Sequence, residues 1–446
     1  MSESQERVTR GLELESVILN SNTFVNPAGI NIYGLVTDIE IFEHIDLPYI
    51  TGQVAFIDTE RLYDRLGFDG GDSVTIALKQ TKSSKRIEKT FIIDRVISTV
   101  KANETTELIT FHMIEDIAFI SRFINVNKSY SGSPVDIIEN ISKDYLQKEI
   151  INTGDVYQNK LKVIVPNMQP LDAMCWIKNR MTTRDGIPYY LFSVFDGPAL
   201  NLISLDDMLN ERPFNTKAPF IHGLHNLYTE IEGGVFRNYP IMKYEHKNVD
   251  DLFGLVEKGL ISSTYSYYDS HAAKPTKQFL NAEEPLSTLL PAKSDRRHNM
   301  PFNLEIDGDR INEKNARKIY QLSQSGAYED GTNRFRSYDQ EPGKGHIQKA
   351  YNRSMKHILL KETMRVRVSG AGFLDGTNHR SVGSIVRLGF KSNKPNDAGL
   401  RFDLKKSGDY LIYACKHSIR AEKYDIELEC VKNASFKNDS FLRSGQ

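Results

Sequence analysis

Cysteine is scarce in this chain, with three in 446 residues. So few exclude a disulfide framework as the source of stability. Cys415 and Cys430 fall on two predicted strands joined by a short turn, which makes them candidate cross-strand neighbours. The plainer reading is a pair of reduced, apolar side chains made in a cytosol. An excess of one charge is also missing, since 57 Lys and Arg face 58 Asp and Glu for a formal charge of −1. That balance excludes a broadly basic nucleic-acid coat and leaves room only for a local patch. No run of about 18 apolar residues occurs, so the reading is no membrane insertion by a helix. The start, Met1-Ser2-Glu3-Ser4-Gln5-Glu6, has neither a basic n-region nor an apolar h-region, so no signal peptide is read and folding is expected in a cytoplasm.

What is present is a core. Hydrophobic residues make up 39%, enough for a folded chain, and the length allows about three domains at roughly 150 residues each. The aromatic residues are almost all Tyr and Phe, and with β-branched runs they favour sheet. Period-two alternation begins at Leu35, with Leu35, Thr37, Ile39 and Ile41 on one face. A second such run covers 50–57 after Pro48, which suits a strand's start because it donates no ladder hydrogen bond. Asp58 or Thr59 can cap a short helix ending at Gly67. Strands are expected at 74–78, 91–100 and 107–114. This is the pattern of a compact antiparallel barrel or sandwich.

After Arg122 the period changes. Ser133 is an N-cap and Pro134 a first helical residue, followed by an apolar stripe of Val135, Ile138, Ile141 and Tyr145. A strand at 161–165, a helix at 170–181 and a hairpin of 189–195 with 200–205 complete an α+β module. Strands return at 241–245 and 260–268, with a helix between them capped by Asn248 and stopped by Gly259. Residues 271–345 are polar and read as an insertion with limited core and one amphipathic helix near 310–322. A helix near 346–358 precedes a last β block at 363–369, 385–390, 410–419 and 424–431. Two stretches share an order of events: a Gly turn opens a strand at Gly71 and again at Gly383, and each time a long hairpin follows. Either duplication or the commonness of hairpins produces such an order; duplication would give two barrels of one kind.

No catalytic constellation is legible. His222 and His225 are the one close histidine pair, and no Cys or acidic cluster completes a ligand set around them, so they read as surface or capping residues. No Gly-x-Ser-x-Gly elbow or phosphate loop occurs, and Gly70-Gly71 precedes a strand rather than a helix. The pairs Asp206-Asp207, Asp250-Asp251 and Glu283-Glu284 are adjacent in sequence and read as solvated charge. The basic series Lys344, Lys349, Arg353, Lys356 and Lys361 fits a solvated helix face, or a face that meets a partner or phosphate. Trp176, beside Cys175 and Ile177, reads as core packing. The expectation is therefore no enzyme, no catalytic or cofactor-binding residue, no cofactor and no metal.

Four collinear passages carry a resemblance. The first is Ile41-Phe42-Glu43-His44-Ile45-Asp46-Leu47-Pro48-Tyr49-Ile50-Thr51-Gly52-Gln53-Val54-Ala55-Phe56-Ile57-Asp58. The second is Pro170-Leu171-Asp172-Ala173-Met174-Cys175-Trp176-Ile177 with Tyr189-Tyr190-Leu191-Phe192 and Leu202-Ile203-Ser204-Leu205. The third is Gly259-Leu260-Ile261-Ser262-Ser263 leading to Tyr268-Asp269. The last is Gly408-Asp409-Tyr410-Leu411-Ile412 with His417-Ser418-Ile419, Tyr424, Leu428 and Glu429. In this order they resemble the baseplate hub proteins of contractile-tailed bacteriophages, over most of residues 31–433; residues 271–345 match nothing in that family.

The resemblance implies a β-rich α+β fold with two tube-type antiparallel β-barrels, an intervening α+β module and a helical or loop insertion. It implies an N-terminal segment 1–30, a first barrel at 31–121, the module at 122–230, a discontinuous second barrel at 231–270 plus 361–433, an insertion at 271–360 and a tail at 434–446. It implies a homotrimer in the virion tail, assembled in the host cytoplasm, that adapts a sixfold tail tube to a threefold central spike. The implied partners are the tail tube or tube-initiator protein, the central spike, baseplate wedge proteins, the tape-measure protein and DNA passing without sequence-specific binding. A hub of a type VI secretion spike or another phage-derived injection device is the near alternative. A tail-tip cell-wall hydrolase or a glycan-binding protein is the alternative of a different class.

Overall fold

The computed structural model describes residues 12–24, 26, 28–67, 71–80, 86–153, 161–179, 181–183, 187–216, 219–223, 228–231, 234–237, 239–248, 252–269, 274–280, 296–297, 305–311, 313–323, 344–360, 362–370, 381–392, 402–420 and 423–436. Most of the regular structure is sheet. The first unit contains β1 (Leu12–Asn20), β2 (Val36–His44), β3 (Thr51–Asp58), β4 (Ser73–Gln80), β5 (Arg86–Lys101) and β6 (Glu107–Glu115). Their spatial order is β2-β3-β6-β5-β4-β1, and every adjacent pair is antiparallel. The alternation that marked these strands in sequence is the alternation of burial: Val54 and Phe56 point in from β3 and Ala55 does not. Among the described residues no ladder closes β1 onto β2. The two-residue strand Ile30–Asn31 pairs with β1 there instead, and the tight turn Tyr33–Leu35 follows it.

The second unit contains β7 (Phe220–His222), β8 (Tyr239–Asn248), β9 (Glu362–Ser369), β10 (Ile385–Phe390), β11 (Gly408–Arg420) and β12 (Lys423–Phe436). Its order is β8-β9-β12-β11-β10-β7, and β7 pairs back to β8, so six strands close into a barrel. Taken strand for strand, this is the neighbour order of the first unit. The resemblance of 71–114 to 383–431 therefore extends to topology, not only to a hairpin. One position differs. β1 runs antiparallel to β4, whereas β7 runs parallel to both β10 and β8.

Between the units lies a separately packed module. Ser133 and Asp136 form a reciprocal capping box at the start of helix Pro134–Ile141, as the Ser-Pro pair predicts. Val135, Ile138 and Ile141 are buried against helix Pro170–Lys178 and the hairpin Tyr189–Ser193 with Leu200–Ser204. Trp176 packs on the same core, as expected. Asp58 caps the turn after β3 as predicted: its carboxylate accepts from the amides of Glu60, Leu62 and Tyr63 at 3.1, 3.0 and 3.0 Å. The helix there is only the 3-10 turn Tyr63–Arg65.

The insertion departs from expectation in one respect. The amphipathic helix expected near 310–322 is a strand, Arg317–Ser323, paired in parallel with Ser263–Asp269. So short a segment with few apolar residues fits either period, and Ile319 settles it by packing beside Tyr265, Tyr267 and Leu280. Gly259 does end a helix as predicted, though that helix is only Leu252–Glu257, and Asn248 is the last residue of β8 rather than its cap. Gly259 has φ +69°, and a Cβ there would meet Ile319 Cδ1. The helix expected near 346–358 spans Lys344–Leu359.

Candidate functional site

The two β units are joined by main chain. β2 and β11 form an antiparallel ladder in which residues 39–44 face residues 414–419, from Ile39 opposite Ile419 to His44 opposite Ala414. β11 can do this because it leaves β10 after Leu411 and bulges between Ile412 and Ala414. The amide of Ile45 donates to Tyr413 O at 3.0 Å and extends the seam. One face of the seam carries ion pairs, Lys416 with Glu40 at 3.0 Å and Arg420 with Asp38 at 3.2 Å.

The other face is buried and polar. Glu43 lies opposite Cys415, and His417 is two residues on, so strand alternation turns all three side chains to one side. His417 Nε2 is 3.3 Å from Glu43 Oε1 and 3.4 Å from Cys415 Sγ. The ligand-type atoms of all three residues lie within 4.8 Å of one another. Residues outside this trio support it. The Phe195 amide donates to Glu43 Oε1 at 2.6 Å, Ser381 Oγ donates to Glu43 Oε2, and Tyr424 Oη stands 2.8 Å from His417 Nδ1. The Tyr424 ring stacks on His417 at an interplanar angle of 4°. Gly370 makes room for that ring, because a Cβ at Gly370 would fall on the Tyr424 Cδ1 atom. Burial pushes the Cys415 thiol well above its ordinary range, and the nearby Glu43 charge adds to the shift.

A second polar cluster, half-buried, lies just past β2. Lys178 Nζ and Lys356 Nζ approach Asp46 Oδ1 at 2.9 and 3.7 Å, from the module helix and the insertion helix. Burial alone would raise the Asp46 carboxyl, but the two ammonium groups more than offset it and hold it below the usual carboxylate range. Burial lowers Lys356, helped by the Lys178 charge. In the second unit, the buried Arg387 of β10 donates twice to Asp409 of β11, from Nε at 2.8 Å and Nη2 at 3.3 Å.

The residues singled out in sequence fall elsewhere. His222 sits edge-on to Tyr244 with ring centroids 4.6 Å apart, and His225 lies outside the described residues. Asp206 and Asp207 serve helix Leu205–Asn210: Asp207 pairs with the Ser204 cap, and Asp206 accepts from Asn210. Gly71 lies in the turn before β4, and Gly70, Asp250, Asp251, Glu283 and Glu284 lie outside the described residues. In the basic series, Arg353 is exposed, but Lys356 turns inward onto Asp46, correcting the solvated reading for that residue. The backbone at Lys361 lies outside the described residues, as do the side chains of Lys344 and Lys349. Cys415 and Cys430 are free and buried on neighbouring strands. They do not face each other, since Cys415 is opposite Leu428 and Cys430 opposite Ile412.

No family model matches the chain, and no curated protein is similar to it in sequence. Solved structures do match. A tail protein from Neisseria meningitidis MC58 superposes with a TM-score of 0.52 at 11% identity, covering 98% of this chain and 99% of that one. The 43 kDa tail protein of prophage MuSo2 from Shewanella oneidensis gives a TM-score of 0.52 at 11% identity, covering 95% and 99%. The chain thus has the β-rich fold of phage tail proteins over almost its whole length.

Proposed function

We propose that this chain is a structural virion protein, the baseplate hub of a contractile phage tail. Three copies would close into a ring of six similar β units, the barrels expected at 31–121 and at 231–270 plus 361–433 being extended by β1 (Leu12–Asn20) and β7 (Phe220–His222), while Ser263–Asp269 joins the insertion's sheet. Such a ring would receive a sixfold tail tube on one side and a threefold spike on the other. It would touch wedge and tape-measure proteins and leave a central passage for DNA.

The observation that carries this reading is a pair of open edges. Within the chain, the second strand of one unit (β2) pairs with the fifth strand of the other (β11). The reciprocal pair is β8 and β5, and both have an unpaired side. The β4 ladder on β5 ends at Ile92, and beyond it residues 94–101 have no ladder on that side among the described residues. The β7 ladder on β8 ends at Pro240, and residues 241–248 are likewise open on that side among the described residues. Unpaired backbone of this length is a template for another chain. A β8–β5 ladder between copies would repeat the internal seam, and the ladder makes a closed threefold ring if the rotation closes.

The test is the oligomeric state. Light scattering and sedimentation of the purified chain, alone and with its spike, should give a trimer, and averaged particle images down the axis should show six lobes. Ile97 and Val100 are exposed on the open half of β5, at 47% and 55%. Ile97→Asp with Val100→Asp should yield a folded monomer. A wild-type protein that stays monomeric under all these conditions sinks the proposal.

A further inference from the structure

We propose that Glu43, Cys415 and His417 form a binding site for a divalent metal ion of borderline softness, with Zn(II) the expected occupant. The three donor types are those that zinc takes in proteins: a carboxylate oxygen, a thiolate sulfur and an imidazole nitrogen. They come from two strands that pair across the seam, and all three residues are buried.

The spacing fits a shared ion. Zinc bonds of about 2.0 Å to N and O and about 2.3 Å to S, at tetrahedral angles, separate N from O by about 3.3 Å and N from S by about 3.5 Å. The observed separations from His417 Nε2 are 3.3 Å to Glu43 Oε1 and 3.4 Å to Cys415 Sγ. A charge-assisted imidazole–carboxylate hydrogen bond would be closer to about 2.8 Å.

The surroundings also behave as a metal site's outer layer does. A metal-binding imidazole donates its second N–H to an oxygen that fixes the tautomer. Here Tyr424 Oη stands 2.8 Å from His417 Nδ1 and so can accept that N–H. The carboxylate is fixed by the Phe195 amide and Ser381 hydroxyl, from outside the two ligand strands. Binding would ionise Cys415 and release its proton to solvent. Glu43 and the thiolate would then balance the two charges of the ion, and the fourth position would take a water oxygen. This site is independent of the ring, and its test does not use oligomeric state.

The intact chain is purified from cells grown with added zinc, freed of loose metal by gel filtration, and assayed for metal by plasma mass spectrometry. About one zinc per chain is expected. After exchange with Co(II), the protein should show d–d bands of tetrahedral intensity and a thiolate-to-cobalt charge-transfer band. Cys415→Ser should abolish the charge-transfer band, and Glu43→Gln, which keeps the shape of the side chain, should weaken Co(II) at least ~10-fold, on the scale of lost metal-site interactions. Circular dichroism establishes that each variant is folded. A folded wild-type protein with no stoichiometric zinc and no cobalt bands overturns the proposal and leaves a hydrogen-bonded network. Cobalt bands unchanged in folded Cys415→Ser overturn it as well.

Discussion

Arg387 and Asp409 face each other across β10 and β11 through two hydrogen bonds, with side chains only 2% and 0% exposed. They lie on adjacent strands as register partners. Asn215 holds the Arg387 backbone from both sides, accepting from its amide at 2.7 Å and donating to its carbonyl at 2.9 Å. The pair is enclosed, so removing one charge takes from the other the partner it faces across the ladder. Asp409→Asn should destabilise the fold by about 3–5 kcal/mol. Denaturant melts should show a lowered midpoint; an unchanged midpoint would contradict the enclosure of the pair.

Asp46 predicts an acid-side effect. Its folded carboxyl is held below the ordinary range, so as pH falls the unfolded chain takes up the proton first. Its contribution to stability is fully present above about pH 4, the ordinary value, and is lost as pH falls through the folded value. Asp46→Asn should thus cost stability at neutral pH and cost progressively less below about pH 4. Urea melts of both proteins across that range provide the measurement. A gap that widens on acidification would reverse the sign and refute the assignment.

Gly370 predicts a steric effect at the seam. A Cβ there would lie 1.9 Å from Tyr424 Cδ1, so Gly370→Ala must displace the ring that stacks on His417. Overpacking of this kind costs about 1–3 kcal/mol. At Gly132 an added Cβ would come no closer than 3.6 Å to its nearest neighbour, so Gly132→Ala serves as the mild control. Thermal melts of the two variants should differ clearly; equal melts would mean that the Tyr424 packing is looser than described.

The cysteines predict slow chemistry. Cys415 and Cys430 are buried and Cys175 is half-buried, and none is in a disulfide. Burial raises all three thiols, most plainly at Cys415 and Cys430. A thiol reagent should label at most one site quickly in the native protein and three after unfolding. Rapid labelling of Cys415 in the native state would argue against the buried seam.

Much of the sheet was legible because its strands are half-buried and alternate. The Ser133-Pro134 start and the 189–205 hairpin were legible because caps and turns act locally. The closing strand β7 was not, since three residues carry no period. Nor was the strand at Arg317–Ser323, whose side is chosen by contact with residues about fifty positions earlier. Cys415 and His417 share a face by simple alternation, but Glu43 is brought to them by a register between distant strands. That pairing is a tertiary fact with no local signature. The repeated order of strands was visible only in outline, because a hairpin says little about which strand lies beyond it.

The seam between the two units consists of amide and carbonyl groups, which every residue except proline supplies in the same form. Joining the halves this way asks little of the side chains that happen to decorate the strands. Two polypeptides can therefore differ at nearly nine positions in ten, as this one does from the Neisseria and Shewanella proteins, and keep a common architecture. In such a molecule the backbone carries the plan, and substitution is free to redecorate it.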